Sequence, residues 1–173
     1  MIEPLGSSVL ELLNREELLD DSAGLAEVLE QWGLGPDRPL GDADHTTLRD
    51  LRALLRRLAE SVATRGTLSP AELGEFNALI APVPMRSQLV ALPNGGYLID
   101  LEPLSEDCIE RAARELAGEF GSMLRRSFPP RLKLCDGCAA VFWDGTRSRT
   151  RRWCDGRTCG NRARVRKHRG RAG

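Results

Sequence analysis

The sequence predicts an α+β protein: a mainly helical N-terminal domain with one β-hairpin over residues 1–130, then a small four-cysteine zinc finger ending in a basic helix over 131–173. Three observations lead there. Apolar residues recur at three- and four-residue steps along several segments before residue 124, the pattern of helices that bury one face. One stretch, QLVALPNGGYLIDL, holds two strand-like runs around Asn94-Gly95-Gly96, where the positive φ of a tight turn is easily reached. Four of the five cysteines, Cys135, Cys138, Cys154 and Cys159, fall within 25 residues near the C terminus.

The elements follow in order. Apolar turns surround Leu10 and Leu13, and Ser22 precedes a stripe of Leu25, Val28, Leu29 and Trp32 that Gly33 closes. After a loop rich in Gly, Pro and Asp, Asp44 or Thr46 caps a longer helix. Leu48, Leu51, Leu55, Leu58 and Val62 share its inner face, and Arg52, Arg56 and Arg57 take the other. His45 belongs to the preceding loop or cap, with no partner identifiable from sequence. Ser69-Pro70-Ala71-Glu72 combines a capping serine, a proline at the first helical position and a glutamate placed to reach back, so a short helix carries Leu73, Phe76 and Ile80 inward. Pro82 and Pro84 stop it, and the hairpin runs near 86–101. Ser105, with Glu106 and Asp107, opens a last helix of this domain, striped by Ile109, Ala112, Leu116, Phe120 and Met123 and ending before Pro129-Pro130. Cys108, near its start, reads as a small buried apolar side chain.

Composition is that of an ordinary soluble protein, and no apolar stretch approaches the roughly 18–20 residues that span a bilayer. With an acidic start lacking the positive flank of a secretion signal, the expectation is a cytoplasmic protein with no membrane partner. Formal net charge is zero, yet residues 125–173 hold 15 of the 25 Lys and Arg against three acids, giving +12; the rest of the chain holds 10 bases and 22 acids, giving −12. Such a basic end calls for a polyanionic partner. Opposed charge also allows the acidic domain to fold back and mask the finger. Neither a phosphate-cradling glycine loop nor a nucleophile elbow is present, so no enzyme activity is expected.

Cys135-Asp136-Gly137-Cys138 and Cys154-Asp155-Gly156-Arg157-Thr158-Cys159 are two close pairs separated by fifteen residues. A pair two to four residues apart lets a tight turn aim both sulfurs at one point, and two such turns build a tetrahedral shell for one structural Zn2+. A dithiol redox reading of the first pair leaves the second unexplained. A catalytic zinc would need an open position, and His168 lies beyond a complete set of four. The finger's apolar content is little more than Val141, Phe142, Trp143, Trp153 and Val165, so metal must stand in for most of a core.

After Cys159 the chain reads as a short helix with Asn161, Val165 and His168 on a face able to lie on the finger. Arg162, Arg166 and Arg169 take one flank, Arg164 and Lys167 the other. The loop carrying Arg147, Arg149, Arg151 and Arg152 adds a second basic strip. A helix positive around most of its circumference suits phosphates on both walls of a DNA groove, with Asn161 and one arginine as candidates to reach base edges. RNA, or an acidic protein bound by an adaptor, is the alternative partner. Self-association as a homodimer and a small-molecule ligand of the N-terminal domain stay open.

Trp153-Cys154 ahead of Cys159-Gly160-Asn161-Arg162, with Cys135-x-x-Cys138 and Phe142 upstream, resembles the CGNR zinc finger family. The upstream part is similar in layout to the helical and hairpin domain, ABATE, usually joined to that finger. Leu12-Leu13-Asn14, Leu18-Leu19-Asp20 and Trp32-Gly33-Leu34 resemble its opening. The resemblance implies a bacterial DNA-binding transcription regulator with zinc at Cys135, Cys138, Cys154 and Cys159. Arg164 stands where relatives commonly have lysine, and Arg15-Glu16 departs from the usual opening.

Overall fold

The long leucine stripe predicted near the middle of the chain is the axis around which everything else packs. In the computed structural model, which describes residues 7–81, 84–93, 95–126 and 129–169, it forms helix α3 (Asp42–Arg65). Leu48, Leu51, Leu55, Leu58, Ala59 and Val62 are all buried along one face. Gly66 ends the helix in the left-handed conformation, φ +77°, which costs a residue without Cβ nothing. Before α3 come α1 (Ser7–Asn14), a 3-10 turn (Glu16–Leu19) and α2 (Ser22–Gln31); after it come α4 (Pro70–Ile80), β1 (Met85–Ala91), β2 (Tyr97–Pro103) and α5 (Cys108–Arg125).

Helix α5 lays Ile109, Ala112, Leu116, Phe120 and Met123 against α3, the stripe expected from sequence. Cys108 is buried among them at 2% exposure. Helix α4 begins as its capping box requires: Ser69 Oγ accepts from the Glu72 amide, and Glu72 accepts from the Ser69 amide at 2.7 Å. It lies lower on the core than expected, because Phe76 and Ile80 are half-buried whereas Leu73 is 46% exposed. The cap of α2 is Asp21, not Ser22; Asp21 accepts from the Gly24 amide. Ser22 instead meets His45 Nε2 at 2.8 Å, and His45 Nδ1 lies 3.0 Å from the Leu19 carbonyl, so His45 is a buried first-turn residue of α3 with two partners. Gly41 occupies the position before α3, and Asp44 serves from inside the helix by accepting from the Gly41 amide. Arg52 and Arg56 donate to the Leu12 and Leu13 carbonyls, closing the C-terminal turn of α1.

Strands β1 and β2 form an antiparallel pair in which Leu89 faces Ile99 and Ala91 faces Tyr97. Asn94, expected in the turn, and Pro82 and Val83, expected to break the chain after α4, lie outside the described residues. Gly95 has the anticipated positive φ, +83°.

Past residue 130 the chain makes a second antiparallel pair, β3 (Leu132–Leu134) with β4 (Val141–Trp143), and then α6 (Cys159–Arg169). Sequence reasoning missed these three-residue strands, which are too short to show a period. Their placement changes the reading of the finger. Leu132 and Val141 belong to the same buried cluster as the α3 and α5 leucines, so the core continues across residue 130. Asn14 makes the joint specific. Its side-chain amide donates to the Val141 carbonyl, and its carbonyl accepts from the Val141 amide, both at 2.8 Å. Arg56 adds a bond to the Ala139 carbonyl. No described helix is long and apolar enough to cross a membrane.

Candidate metal centre and nucleic-acid interface

The two cysteine pairs are brought to one point by different devices. Cys135 and Cys138 flank the turn from β3 to β4, where the Ala139 amide donates to the Cys135 carbonyl and the Cys135 amide to the Ala140 carbonyl, each at 2.8 Å. Gly137 is tightly packed there: a Cβ at that position would lie 3.1 Å from Cys159 Cβ and 3.4 Å from its sulfur. Gly156 meets nothing within 4 Å of an added Cβ, so close approach does not dictate glycine in the second pair. In that pair Asp155 organises the turn, its Oδ1 accepting from the amides of Arg157 at 2.6 Å and Thr158 at 2.8 Å. These bonds, Thr158 first, hold the Asp155 carboxyl below the usual carboxylate range. The Asp136 amide joins the halves by donating to the Arg152 carbonyl at 3.0 Å.

All four sulfurs lie within 4.8 Å of one another. Cys138 and Cys154 are 3.7 Å apart and Cys154 and Cys159 3.9 Å, close to the roughly 3.8 Å edge of a tetrahedron of sulfurs about 2.3 Å from a central zinc. Cys135 and Cys159 are buried, Cys154 is half-buried and Cys138 is at the surface. Electrostatics divides the four thiols. Burial would raise the Cys135 thiol, but the amides of Cys154, Gly137 and Cys138 overcome it and bring it down to about 6. Burial, reinforced by the other three sulfurs, pushes Cys154 up to about 12. Cys159 is raised as well, first by its contact with Cys138 and then by burial. One site of negative charge is prepared at Cys135, and the Cys154 and Cys159 thiols resist ionising beside it; a divalent cation at the centre would remove that resistance.

Around the cluster, Phe142 and Trp153 pack on Cys135, Cys154 and Cys159, and Gly160 lies 3.5 Å, by its added Cβ, from the Trp153 ring. Helix α6 therefore leaves the cluster on Cys159, Gly160 and the half-buried Ala163. The expectation that Asn161, Val165 and His168 lie on the finger is corrected: Asn161 and His168 are exposed, and Val165 is 41% exposed. The helix meets the finger through Cys159, Gly160 and Ala163, and the described side chains after Ala163 are exposed. Arg162, Arg164, Arg166 and Arg169 are exposed on α6; the side chain of Lys167 lies outside the described residues.

The four arginines of the loop divide. Arg147 and Arg149 are exposed, and Arg149 holds a left-handed φ of +54°. Arg151 is turned inward: its Nε donates to the Trp153 carbonyl at 2.8 Å, a second nitrogen donates to the Cys154 carbonyl, and its guanidinium lies 5.2 Å from the Phe142 ring centre. Arg152 pairs with Asp136 at 2.6 Å and covers the Trp153 ring at 5.4 Å. Arg151 thus braces the second cysteine pair, while Arg152 stays accessible with its charge shared.

Sequence reasoning missed the group that shapes this loop. Asp144 is fully buried and receives Lys133 Nζ at 2.7 Å, the Thr146 amide at 3.0 Å, the Thr146 hydroxyl and the Arg151 amide at 3.1 Å. Burial alone would raise its carboxyl; Lys133, Thr146 and the Arg151 amide together hold it well below the usual range. Lys133 Nζ also donates to the carbonyls of Arg149 and Arg151, so one ion pair ties down the middle of the arginine strip. The only signal in the sequence was rarity. The basic end contains three acids, and each holds backbone or a cation: Asp136 on Arg152, Asp144 on Lys133 and Asp155 on the second turn. Arg157 was also passed over; with Asn161 and Arg164 it lines a shallow open depression beside Asp155.

The model of the CGNR zinc finger matches residues 131–172. The ABATE model, described as "Putative stress-induced transcription regulator", matches residues 6–122. No curated protein matches the chain. With that finger matched and four converging sulfurs completing the shell, the centre is a structural zinc site formed by Cys135, Cys138, Cys154 and Cys159.

Proposed function

The chain belongs to the ABATE family, whose model spans residues 6–122, and from that premise we propose that it is a regulator that binds double-stranded DNA through its C-terminal finger. One observation carries this reading: α6 grows directly out of the four-sulfur centre with Arg162, Arg164, Arg166 and Arg169 exposed. Anchored at one end and charged on several sides, such a helix suits a groove walled by phosphates. Arg147 and Arg149 extend the cationic surface along the loop that Lys133 and Asp144 hold in place. Zinc supplies folding energy and fixes the angle at which α6 departs. Four sulfurs leave no position for water or substrate, so the reading assigns no catalytic step and places the protein in the reducing cytoplasm, where its thiols remain available to metal.

Self-masking finds no support in this arrangement. The finger meets the acidic domain through β3, β4 and Ala139, whereas the described part of α6 beyond Ala163 is exposed. The test is binding of zinc-loaded protein to duplex DNA across a salt series. If the four helix arginines and the two loop arginines meet phosphates, the logarithm of affinity falls by about five units per tenfold rise in salt. Changing the four helix arginines to alanine brings that slope to about two. An unchanged slope and affinity in that variant, with zinc still bound, refutes the assignment.

A further inference from the structure

The hairpin presents a surface whose outer part no described residue covers. Side chains alternate across a strand, so Met85, Ser87, Leu89 and Ala91 share one face with their partners Tyr97, Ile99 and Leu101. That face carries no charge, and its outer part is bare: Leu89 and Ile99 are each 69% exposed, Tyr97 71% and Leu101 56%. Two charged positions of the pair, Arg86 and Asp100, fall on the opposite face. At its base the apolar face meets a groove of about 440 Å³ between the hairpin, α4 and α5, lined by Phe76, Ile80, Met85 and Leu101 and also by charged side chains of α5, among them Arg114 and Glu115. A Cβ on Gly118 would meet nothing within 4 Å.

We propose that this face is where two copies of the chain associate, hairpin packed against hairpin about a two-fold axis. Three arguments select a second copy as the occupant. A two-stranded hairpin alone is marginal in water, and three or more strands, or a covered face, are what stabilise one; among the described residues this pair gains no further strand, and its base alone rests on helices. An interface that repeats the same patch on both partners sets each residue near its own copy, so like charges would meet there, and this face has none. The area is sufficient. With roughly 180 Å² for a large apolar side chain, Leu89, Tyr97, Ile99 and Leu101 expose on the order of 500 Å² per copy, or about 1,000 Å² for two. That reaches the lower bound of a specific interface before the groove contributes. The inference does not depend on what α6 binds, and a dimer would supply two fingers to one partner.

Sedimentation velocity of the full, zinc-loaded chain over a concentration series tests it. The expected result is a species of about twice 19.1 kDa that dissociates on dilution. Leu89→Glu with Ile99→Glu weakens association by on the order of 100-fold, because truncation at the centre of an interface alone costs tenfold or more and a buried unpaired charge adds to it. Tyr97→Arg, at the most exposed of these positions, is the second variant. Gln88→Glu on the opposite face leaves the dimer intact. Far-UV dichroism and zinc stoichiometry establish that each variant is folded. A wild-type chain still at 19.1 kDa at about 100 μM overturns the proposal, as does a dimer that survives both the double variant and Tyr97→Arg. A chain that stays monomeric but binds lipid vesicles or another protein through this face overturns it equally.

Discussion

Replacing Asp144 by alanine tests whether one buried ion pair holds the arginine loop. The carboxylate is fully buried and takes Lys133 at 2.7 Å, two backbone amides and the Thr146 hydroxyl. Removing one member of a buried pair costs roughly 3–5 kcal/mol, since the other is left without its counter-charge. Lys133 keeps two carbonyl partners and its side chain is 30% exposed, which places the expectation at the lower end, about 3 kcal/mol. For a chain of this size that lowers the melting temperature by about 6–12 °C. Urea unfolding followed by far-UV dichroism, with zinc kept in excess, gives the first number. The second comes from Lys133→Met with Asp144→Leu, which removes both charges and is expected within about 1–2 kcal/mol of wild type, because apolar replacement of a whole buried pair is often nearly neutral. A loss below about 1 kcal/mol for Asp144→Ala, or a double variant as unstable as the single, would show that the pair does not organise the loop. DNA affinity should fall in both variants, since neither retains the Asp144 carboxylate that takes the Thr146 and Arg151 amides on either side of Arg147 and Arg149.

The joint between the two parts of the chain is tested at Asn14. Asn14→Ala removes two 2.8 Å bonds to Val141 and should cost about 2 kcal/mol while speeding amide exchange at Val141; unchanged exchange there contradicts its role as the clamp. Gly137→Ala places a methyl 3.1 Å from Cys159 Cβ, and a chelator competition should show zinc affinity reduced by about tenfold from the strain, with equal affinity counting against the packing argument. Asp44 provides the pH test. Arg38, then the Gly41 amide, hold its carboxyl at about 2, below the ordinary 3.8, so its contribution is present above about pH 4 and is lost as pH falls toward 2. Asp44→Asn should therefore be less stable than wild type by about 2 kcal/mol at pH 7, with the gap in urea midpoints closing below pH 4; a gap that widens on acidification has the wrong sign.

The sequence by itself determined the helices, the hairpin and the ligand set, because each is written in local spacing. A leucine stripe must bury one face wherever it packs. Ser69 and Glu72 cap each other across a single turn. Cysteines three and five positions apart can converge through turns that need only their own residues. Charge was legible in total but not in use: fifteen bases were visible, yet nothing local distinguished Arg151, turned onto Phe142 and the Cys154 carbonyl, from Arg162 in open solvent. Tertiary structure alone decided those matters, along with the burial of His45, the outward face of Val165 and the bond between Asn14 and Val141, 127 residues apart. Each depends on which surfaces meet once the helices have packed. Burial of a polar or charged group is settled by partners distant in sequence, and periodicity within a segment carries no record of them.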